Sequence, residues 1–451
     1  MKERGDFGSK LGIVLATAGS AVGLGNVWRF PYMAGENGGA AFIVVYIACI
    51  LLLGLPGMVA EFIVGRHGQA NAARAYDKLS GGKPWKAVGY LGILTSTIIL
   101  GFYSVVAGWC LQYLYASIIG HVQGDAEYVK NYFVEFSSSP VKPVLWGVGF
   151  LLLTHVVIVR GVRKGIEKAS KWLMPILLVL LLVIVVASCL LPGAIEGVRF
   201  LFEPDFSKIN SKVMLDALGQ AFFSLSLGTA CLCTYASYFS QETNLLRSAG
   251  QIALLDTFIA ILAGLMIFPT AASVGVSPDS GPSLIFITLP NVFQQAFAFM
   301  PVVGYVVSVM FYALLVFAAL TSTISMHEIG TAFFTEEYAL PRHKSTWVVT
   351  VVTSILCLLC ALSVGANPDI QVLGLSLMDF CDQLTANFML PLGGMLTCLF
   401  VGWYVSKEVV YDELTNGGQH NRRFFVLFLF AVRYVCPIGI LLVFLHQLGV
   451  L

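Results

Sequence analysis

Long apolar stretches without charged residues recur along the chain, and short polar segments separate them. Each stretch is long enough for an α-helix to cross the hydrocarbon core of a bilayer, which takes about 20 residues. Prolines interrupt a further apolar stretch at 280–297, so we expect a re-entrant segment or a helical cap on the outside there. The pattern predicts eleven membrane spans, over residues 11–34, 40–65, 87–119, 142–159, 166–191, 213–239, 246–275, 298–333, 346–365, 371–404 and 423–448.

Composition also indicates a multi-pass membrane protein. Of the 451 residues, 57% are hydrophobic and 11% are charged, and the mean hydropathy is +0.83. These values exclude an ordinary soluble domain and predict that the bilayer is the chain's main environment. The net charge of +1 gives no reason to expect nucleic acid as a partner.

Basic residues cluster at alternate ends of the predicted spans, at the N-terminus and around 66–86, 160–171, 342–344 and 422–423. The positive-inside rule therefore predicts a cytoplasmic N-terminus in the cell (inner or plasma) membrane. An odd number of spans then places the two termini on opposite sides. The short loop near 121–140 lacks cysteine and a glycosylation acceptor, which favours a prokaryotic origin.

The first predicted span is interrupted at mid-depth by the glycine-rich segment 19–26. Each of its three glycines weakens a helix by about 1 kcal/mol relative to alanine. In hydrocarbon, backbone groups freed by such a break need polar partners, and ions or a small zwitterion are natural candidates. Similar polar patches occur at 222–229 in span 6 and 318–323 in span 8. A single hydroxyl in such a patch is also explained by a bond to the carbonyl four residues back, but paired interrupted helices point to a transporter site.

These motifs together resemble the signature of the neurotransmitter:sodium symporters, in particular the bacterial amino-acid transporter branch. The resemblance implies an all-α polytopic fold, a LeuT-type 5+5 inverted repeat in which spans 1 and 6 are unwound at mid-membrane. One transmembrane domain, 1–451, would then contain a first repeat at about 10–192, a second at about 212–404 and an extra span at about 423–448. The segments that carry the likeness are 19–31, 36–42, 224–228, 235–238 and 321–322.

The resemblance further implies two bound sodium ions and no organic cofactor. Sodium takes about five or six hard oxygen ligands. The substrate's carboxylate is expected to complete the first site, which couples ion to substrate. The first site would use the Ala21 carbonyl with the side chains of Asn26, Ser224 and Asp256. The second would use the carbonyls of Gly19, Val22 and Ala318 with the hydroxyls of Thr321 and Ser322.

Asp256 departs from the family pattern. The family commonly has asparagine at this position, and its animal members balance the charge of the site with bound chloride. A carboxylate inside the membrane is costly unless it is paired or solvated. We therefore expect Asp256 to supply a fixed negative charge that makes transport chloride-independent. A proton relay and a structural carboxylate are the alternatives.

The resemblance also implies a pocket for an amino acid. The N–H groups of Leu24 and Gly25 at a broken helix end would hold its carboxylate, together with the hydroxyl of Tyr103. Tyr103 taken alone is as readily a packing or interfacial tyrosine. Carbonyls near Phe223 and the hydroxyl of Ser226 would receive the amino group. The side-chain compartment would be lined by Ile99, Phe223, Thr229 and Met326.

The apolar wall of this compartment favours hydrophobic amino acids. Gly23 points in the same direction, because the monoamine transporters of the family place an aspartate there to bind an amine that lacks a carboxylate. Glycine leaves that role to the substrate itself.

Two gates follow from the same resemblance, and a glycine and a proline in span 5 separately indicate a flexible helix end. Arg29 and Asp382 would close above the site, with Phe223 as an aromatic lid. Proline and glycine both weaken a helix, so the start of span 5 is expected to unwind and let water reach the second sodium site. The residues concerned are Arg4, Tyr238 and Glu336 for the cytoplasmic gate, and Gly165 and Pro175 for span 5. Arg4 is equally explained as a positive-inside anchor.

We conclude from the sequence that the chain is a sodium-coupled secondary symporter importing neutral, hydrophobic L-amino acids by alternating access, and not an enzyme. An amino-acid-binding membrane sensor is one alternative, and a proton-coupled amino-acid transporter of the same fold is another, because Asp256 can titrate. Glu61 is expected to pair with nearby Arg66. His327 and Glu328 resemble a metal-ligand pair, but nothing else in the sequence joins them.

Overall fold

The computed structural model describes residues 7–275, 284–367, 369–420 and 422–447. Within them, nine helices are long and apolar enough to cross a membrane, and one bent helix pair adds a tenth span. These findings confirm an all-α polytopic protein. The bounds are Lys10–Ala21 with Gly25–Glu36 for span 1, Ala40–Gly68 for span 2, Lys86–Ile118 for span 3, Lys142–Val159 for span 4, Val162–Cys189 for span 5, Leu245–Val274 for span 7, Pro301–Glu337 for span 8, Arg342–Ala366 for span 9, Leu377–Tyr404 for span 10 and Arg422–His446 for span 11.

Span 1 breaks where the glycine-rich segment predicts it. Its first half starts at Ser9, whose Oγ accepts the Gly12 N–H at 3.0 Å and caps the helix. Val22 is extended, with φ −71° and ψ 107°, and ends that half. The chain resumes in a π-helical turn, Gly25–Arg29, and the two halves are bent by 54°.

The one predicted span not among these ten is span 6. It is divided into two helices, Ser211–Ser224 and Cys231–Ala236. Between them the backbone enters the left-handed region at Ser226 (φ 53°), Gly228 (φ 82°) and Ala230 (φ 60°). A side chain on Gly228 would collide with the Leu390 carbonyl, so only glycine fits there. Ser226 and Ala230 hold a conformation that costs of order 1 kcal/mol or more each, and such strain clusters at functional sites.

Several predicted boundaries differ from the structure by three to six residues, among them the starts of spans 5 and 9, which lie four residues earlier than predicted. Span 8 continues to Glu337, four residues beyond the predicted end, since no glycine or proline stops it. Span 10 begins at Leu377 and not at 371, because a two-stranded antiparallel hairpin precedes it, Gln371–Val372 with Leu375–Ser376. The turn of that hairpin uses Leu373 and Gly374, both with positive φ.

Short helical elements connect the spans. Within the apolar stretch at 280–297, residues 284–296 form a π-helical turn and a helix that packs against spans 7 and 8, while 276–283 lie outside the described residues. Its placement on the outside stays a prediction. The connecting helices are Ala72–Ser80, Ala126–Ser137, Ala194–Phe202, Phe206–Lys208, Leu284–Thr288, Leu289–Ala296 and Lys407–Thr415. Other π-helical turns lie within the spans, at Ile50–Gly54, Val162–Glu167, Leu362–Ala366, Leu384–Met389, Phe400–Tyr404 and Ala431–Val435.

Helix packing places the two broken spans at the centre of the molecule. The first half of span 1 packs against spans 5, 7 and 8, and the second half of span 6 packs against span 2. Span 3 packs against spans 4, 8 and 9. Gly108 and Gly147 allow close backbone contact between spans 3 and 4, as small residues do in membrane helix pairs. The two broken spans are therefore packed against spans 2, 5, 7 and 8.

Candidate functional site: a polar centre at two broken helices

The carboxylate of Asp256, in span 7, is fully buried and collects polar groups from spans 1 and 6. The Asn26 amide donates to Asp256 Oδ1 at 2.7 Å, and the Ser224 hydroxyl donates to Oδ2 at 2.7 Å. The same amide reaches the Asp256 backbone carbonyl at 3.2 Å. Amide, hydroxyl and carboxylate oxygens are the donors that a hard cation such as sodium takes. The structure thus gathers three residues predicted for the first sodium site, and Ala21 ends the helix that leads into them.

Two further polar residues belong to this neighbourhood, and sequence reasoning missed both. The Tyr46 hydroxyl donates to Asp256 Oδ2 at 3.4 Å. Gln220 lies one turn before Ser224 on the same face of span 6. It is fully buried, and among the described residues its side-chain atoms have no hydrogen-bond partner. The only sequence signal for Tyr46 and Gln220 was that each is a polar residue in the middle of an apolar run.

A second cluster forms where span 8 meets the break in span 1. The Thr321 hydroxyl lies 3.3 Å from the Val22 carbonyl oxygen and 2.9 Å from that of Ala318. Ser322 Oγ lies 3.5 Å from the Val22 carbonyl oxygen. Gly19 faces Thr321 so closely that a Cβ added to it would lie 3.3 Å from the Thr321 Cβ. All five residues predicted for the second sodium site therefore lie together.

In the predicted carboxylate pocket, one hydrogen bond directly joins the residues from span 1 and span 3. The Tyr103 hydroxyl of span 3 accepts the Leu24 N–H at 3.2 Å. Gly25 faces the Phe223 ring, and a Cβ on Gly25 would lie 3.1 Å from it. Gly23 faces Ser322, and a side chain there would overlap the Ser322 hydroxyl. With no side chain at Gly23 or Gly25, the segment packs closely against Ser322 and Phe223, and the N–H groups of Gly23 and Leu24 donate to Asn26 Oδ1 and to the Tyr103 hydroxyl.

The residues predicted for the side-chain compartment come from spans 3, 6 and 8. Thr229 is buried, and its hydroxyl donates to the Ser226 carbonyl at 2.7 Å. The Ser226 hydroxyl donates to the Ser20 carbonyl at 3.1 Å and so links the two breaks. Ile99 and Met326 are half-buried and pack against the apolar core.

On the predicted extracellular side, the Arg29 guanidinium lies 4.2 Å from the centroid of the Phe223 ring, a cation–π contact. Asp382 and Asp216 are the carboxylates whose charge acts on Arg29. Among the described residues no ion pair joins Arg29 to Asp382 directly, which fits a gate closed through water. Asp216 was not predicted from the sequence. A pocket lined by Arg29, Phe223 and Leu390 adjoins this layer.

On the predicted cytoplasmic side, Arg4 lies outside the described residues. The Tyr238 hydroxyl donates to Glu328 at 2.8 Å, and Glu328 forms an ion pair with Arg342 at 2.5 Å. Glu336 accepts the backbone N–H of Asn71 at 2.6 Å. Glu328 was noted in the sequence beside His327 as a possible metal ligand, but its partners in the structure are Arg342 and Tyr238, the latter a residue predicted for the cytoplasmic gate.

His327 likewise has ordinary partners. Its Nε2 lies 2.9 Å from the Thr350 hydroxyl, and its Nδ1 lies 3.1 Å from the Thr331 hydroxyl. His155 reaches the same Thr350 hydroxyl at 2.8 Å. The imidazole is thus part of a hydroxyl network between spans 4, 8 and 9.

The expected pairing of Glu61 with Arg66 is wrong. Glu61 accepts the backbone N–H groups of Gly228 at 2.7 Å and Cys233 at 3.4 Å, and so supports the break in span 6. Arg66 pairs instead with Glu413, from the helix Lys407–Thr415, at 2.5 Å. The physical reason is that the span 6 break frees backbone donors that a buried carboxylate can satisfy.

Span 5 is helical at its start in this structure. Gly161 has φ +90°, the turn Val162–Glu167 is π-helical, and a side chain on Gly165 would collide with the Val157 carbonyl. Pro175 lies inside the helix that follows, Lys168–Cys189. The predicted unwinding of this end remains a hypothesis.

The fold and the two polar clusters at broken helices define a multi-pass membrane transporter. Residues 4–124 and 125–450 match the sodium:neurotransmitter symporter family, and the chain belongs to that family. Its members are transporters and not enzymes.

Relatives and solved structures extend over nearly the whole chain. It is 39% identical over 448 residues to the uncharacterized sodium-dependent transporter YhdH of Bacillus subtilis, covering 99% of this chain and 98% of that protein. It is 28% identical over 447 residues to the sodium-dependent serotonin transporter of Drosophila melanogaster, covering 89% and 68%. The crystal structure of MhsT in complex with L-phenylalanine matches with a TM-score of 0.89 at 40% identity, covering 99% and 100%.

Proposed function

We propose that this protein is a sodium-coupled symporter that imports neutral, hydrophobic L-amino acids by alternating access and does not require chloride. The observation that carries the proposal is the break in span 1. There the Leu24 N–H donates to the Tyr103 hydroxyl, Gly23 presents no side chain, and oxygen-rich clusters lie on either side. A backbone N–H pair at a helix end suits a carboxylate, and the clusters suit two sodium ions.

The substrate class is supported by the apolar residues predicted to surround the substrate side chain: Ile99 and Met326 pack against the apolar core, and the Phe223 ring faces Gly25. MhsT, similar to this chain over its whole length, was crystallised with L-phenylalanine. That likeness favours an amino acid with a large apolar side chain.

Chloride independence rests on Asp256. Its carboxylate already supplies one negative charge beside the proposed first sodium site, where it is held by Asn26 and Ser224. A sodium ion bound there is balanced without an external anion.

Uptake into proteoliposomes tests the proposal. Purified protein is reconstituted with potassium inside, and accumulation of radiolabelled leucine, phenylalanine and tryptophan is measured with sodium or potassium outside. We expect accumulation above the external concentration only with an inward sodium gradient, unchanged when gluconate replaces chloride. Sodium-dependent binding without accumulation would indicate a sensor, and accumulation driven by a pH gradient without sodium would indicate a proton-coupled transporter.

A matched pair of variants connects uptake with the second sodium cluster. Thr321→Val removes a hydroxyl from that cluster, whereas Thr323→Val makes the same change two residues away, where the hydroxyl bonds to Thr154. We expect Thr321→Val to abolish sodium-driven uptake and Thr323→Val to retain it. Equal losses would contradict the proposed second site.

A further inference from the structure

Glu167, at the start of span 5, holds the beginning of span 1 by two hydrogen bonds. Its Oε2 accepts the Gly8 N–H at 2.7 Å, and its Oε1 accepts the Ser9 hydroxyl at 2.9 Å. A third donor comes from its own helix, since Lys171 Nζ lies 2.6 Å from Oε1. Only 3% of Glu167 is exposed, so few water molecules compete for these bonds. None of the predicted gate residues takes part.

The carboxylate also lies against the end of the first half of span 1. Ser9 caps that helix, and Gly12 in its first turn faces the carboxylate so closely that a Cβ on Gly12 would overlap it. The N-terminal end of a helix carries partial positive charge and unpaired N–H groups. A buried carboxylate at this position therefore stabilises the docked position of the half-helix.

Glu167 occupies a junction within span 5 as well. It is the last residue of the π-helical turn Val162–Glu167, which follows Gly161 with its positive φ and precedes the regular helix Lys168–Cys189. Any unwinding of this turn displaces the carboxylate. Any outward swing of the first half of span 1 breaks its bonds to Gly8 and Ser9.

We infer that Glu167 is a positioning residue for transport: it ties the first half of span 1 to span 5 and keeps the cytoplasmic side closed until both move together. This inference rests on the proposed alternating-access function. Opening to the cytoplasm then requires the loss of both span 1 bonds, and sodium, bound partly by span 1, favours the tied state.

Hydrogen–deuterium exchange of the full chain in lipid nanodiscs tests the tie without any amino acid present. In the unmodified protein, sodium in place of potassium should slow exchange in peptides covering 8–21. Glu167→Ala should abolish that protection and weaken the apparent sodium affinity by about tenfold, as expected for loss of charge-assisted hydrogen bonds. Exchange in span 3 serves as an internal control.

Two further variants separate a tie between helices from the local stability of span 5. Gly12→Ala keeps every charge but displaces the carboxylate from the span 1 side, and should reproduce the effect of Glu167→Ala. Combining the two should add nothing further, because both remove the same contact. Lys171→Met removes the ion pair within span 5 and should leave the sodium protection of 8–21 within twofold of the unmodified protein.

Full sodium protection of 8–21 in Glu167→Ala, or an equal loss in Lys171→Met, would overturn the inference. If Glu167→Ala is not recovered as a monodisperse protein, Gly12→Ala provides the same test. These outcomes are independent of the proposed substrate, because a chain that fails to accumulate amino acids can still show or lack the sodium-dependent protection.

Discussion

At the scale of single residues, the buried carboxylate of Asp256 sets the electrostatics of the centre. It is stabilised by the Asn26 amide and by the hydroxyls of Ser224 and Tyr46, all neutral donors. Among the described residues none of the ion pairs involves it. A negative charge solvated only by neutral donors in a membrane is poised to take a monovalent cation, and the pair is then neutral.

Asp256→Asn therefore makes a direct prediction. The amide keeps the shape and one oxygen donor but removes the charge, so bound sodium is left unbalanced beside Tyr46, Ser224 and Gln220. We expect sodium-driven uptake to fall by about tenfold or more in gluconate and to recover substantially in chloride, because an uncompensated charge in the membrane costs several kcal/mol. The unmodified protein should be indifferent to the anion. A variant equally impaired in both anions would contradict the charge-balance argument.

Tyr103 supports a second prediction, about substrate affinity. Tyr103→Phe removes the hydroxyl proposed to bind the substrate carboxylate, and loss of a hydrogen bond to a charged group costs about 1.5–3 kcal/mol. We expect the KM of uptake to rise by about tenfold or more, with the protein still folded. Tyr113→Phe is the matched control, since that buried hydroxyl of span 3 has no partner among the described residues. Similar losses in both variants would point to packing and not to recognition.

At the scale of helices, the C-terminal end of span 2 is bound to the helix Lys407–Thr415. Arg66 is almost fully buried and pairs with Glu413, while His67 lies 3.1 Å from the same carboxylate. Burial alone would raise the pKa of the Glu413 carboxyl, but hydrogen bonds from His67 and the charge of Arg66 outweigh it and lower that pKa. The tie is therefore strongest when Glu413 is ionised.

Glu413→Gln should destabilise the protein by about 3–5 kcal/mol at neutral pH, because it leaves the buried Arg66 charge without its counter-ion. Since the pKa of Glu413 is lowered in the folded protein, its contribution is present above the unfolded value of about 4.3 and is lost as pH falls through the folded value. Thermal unfolding in detergent measures the difference, which should shrink below about pH 4. A pH-independent difference would argue against an ionic tie.

Span 5 gives a prediction about rates. Pro175→Ala restores a backbone hydrogen bond within Lys168–Cys189 and should make unwinding of its start harder. We expect slower transport with substrate binding largely intact, measured as turnover in proteoliposomes beside equilibrium binding. Pro269→Ala is the control, since Pro269 also lies inside a membrane helix but belongs to span 7 and not to span 5. Unchanged transport in Pro175→Ala would refute the unwinding hypothesis.

The helices were predictable and several partners were not, for a physical reason. Apolar length and glycine content determine where a span lies and where it breaks, and both are local properties, as in segment 19–26. The partner of a buried charge depends on which helix packs beside it. Glu61 therefore accepts the Gly228 N–H at the break in span 6 and does not pair with nearby Arg66. Glu328 forms an ion pair with Arg342. Tyr46 and Gln220 carry no motif of their own and become visible only beside span 7.

At the scale of the whole molecule, the proposed sodium sites and the proposed substrate pocket both include residues of the two broken spans, which are also the elements proposed to move. Span 1 contributes Asn26 to the Asp256 cluster and Gly19 and Val22 to the Thr321 cluster, and the start of its first half is bonded to Glu167 of span 5. A ligand shifts a conformational equilibrium only by its differential affinity for the two states. In the proposed mechanism, sodium ions held between span 1 and spans 7 and 8 would have that differential affinity, because movement of the half-helix would remove some of their ligands.

The same architecture predicts where the two termini lie. Eleven crossings put them on opposite sides only if span 6 crosses the bilayer, although its pieces, Ser211–Ser224 and Cys231–Ala236, are each too short to do so alone. The break between them is tolerated because protein groups such as Glu61 satisfy its backbone. We therefore expect span 6 to cross as one unit, with the N-terminus in the cytoplasm.

Reporter fusions in a bacterial host test this topology. Green fluorescent protein should fluoresce when inserted at the exposed turn of Asn416 and Gly417, before span 11, and should stay dark when fused after 451. Alkaline phosphatase should show the opposite pattern, because it is active only outside the cytoplasm. An active C-terminal phosphatase requires an odd number of crossings between a cytoplasmic N-terminus and residue 451. Fluorescence only after 451 would mean that one of the spans before Asn416, with span 6 the first candidate, does not cross, whereas fluorescence at both positions would mean that span 11 does not cross.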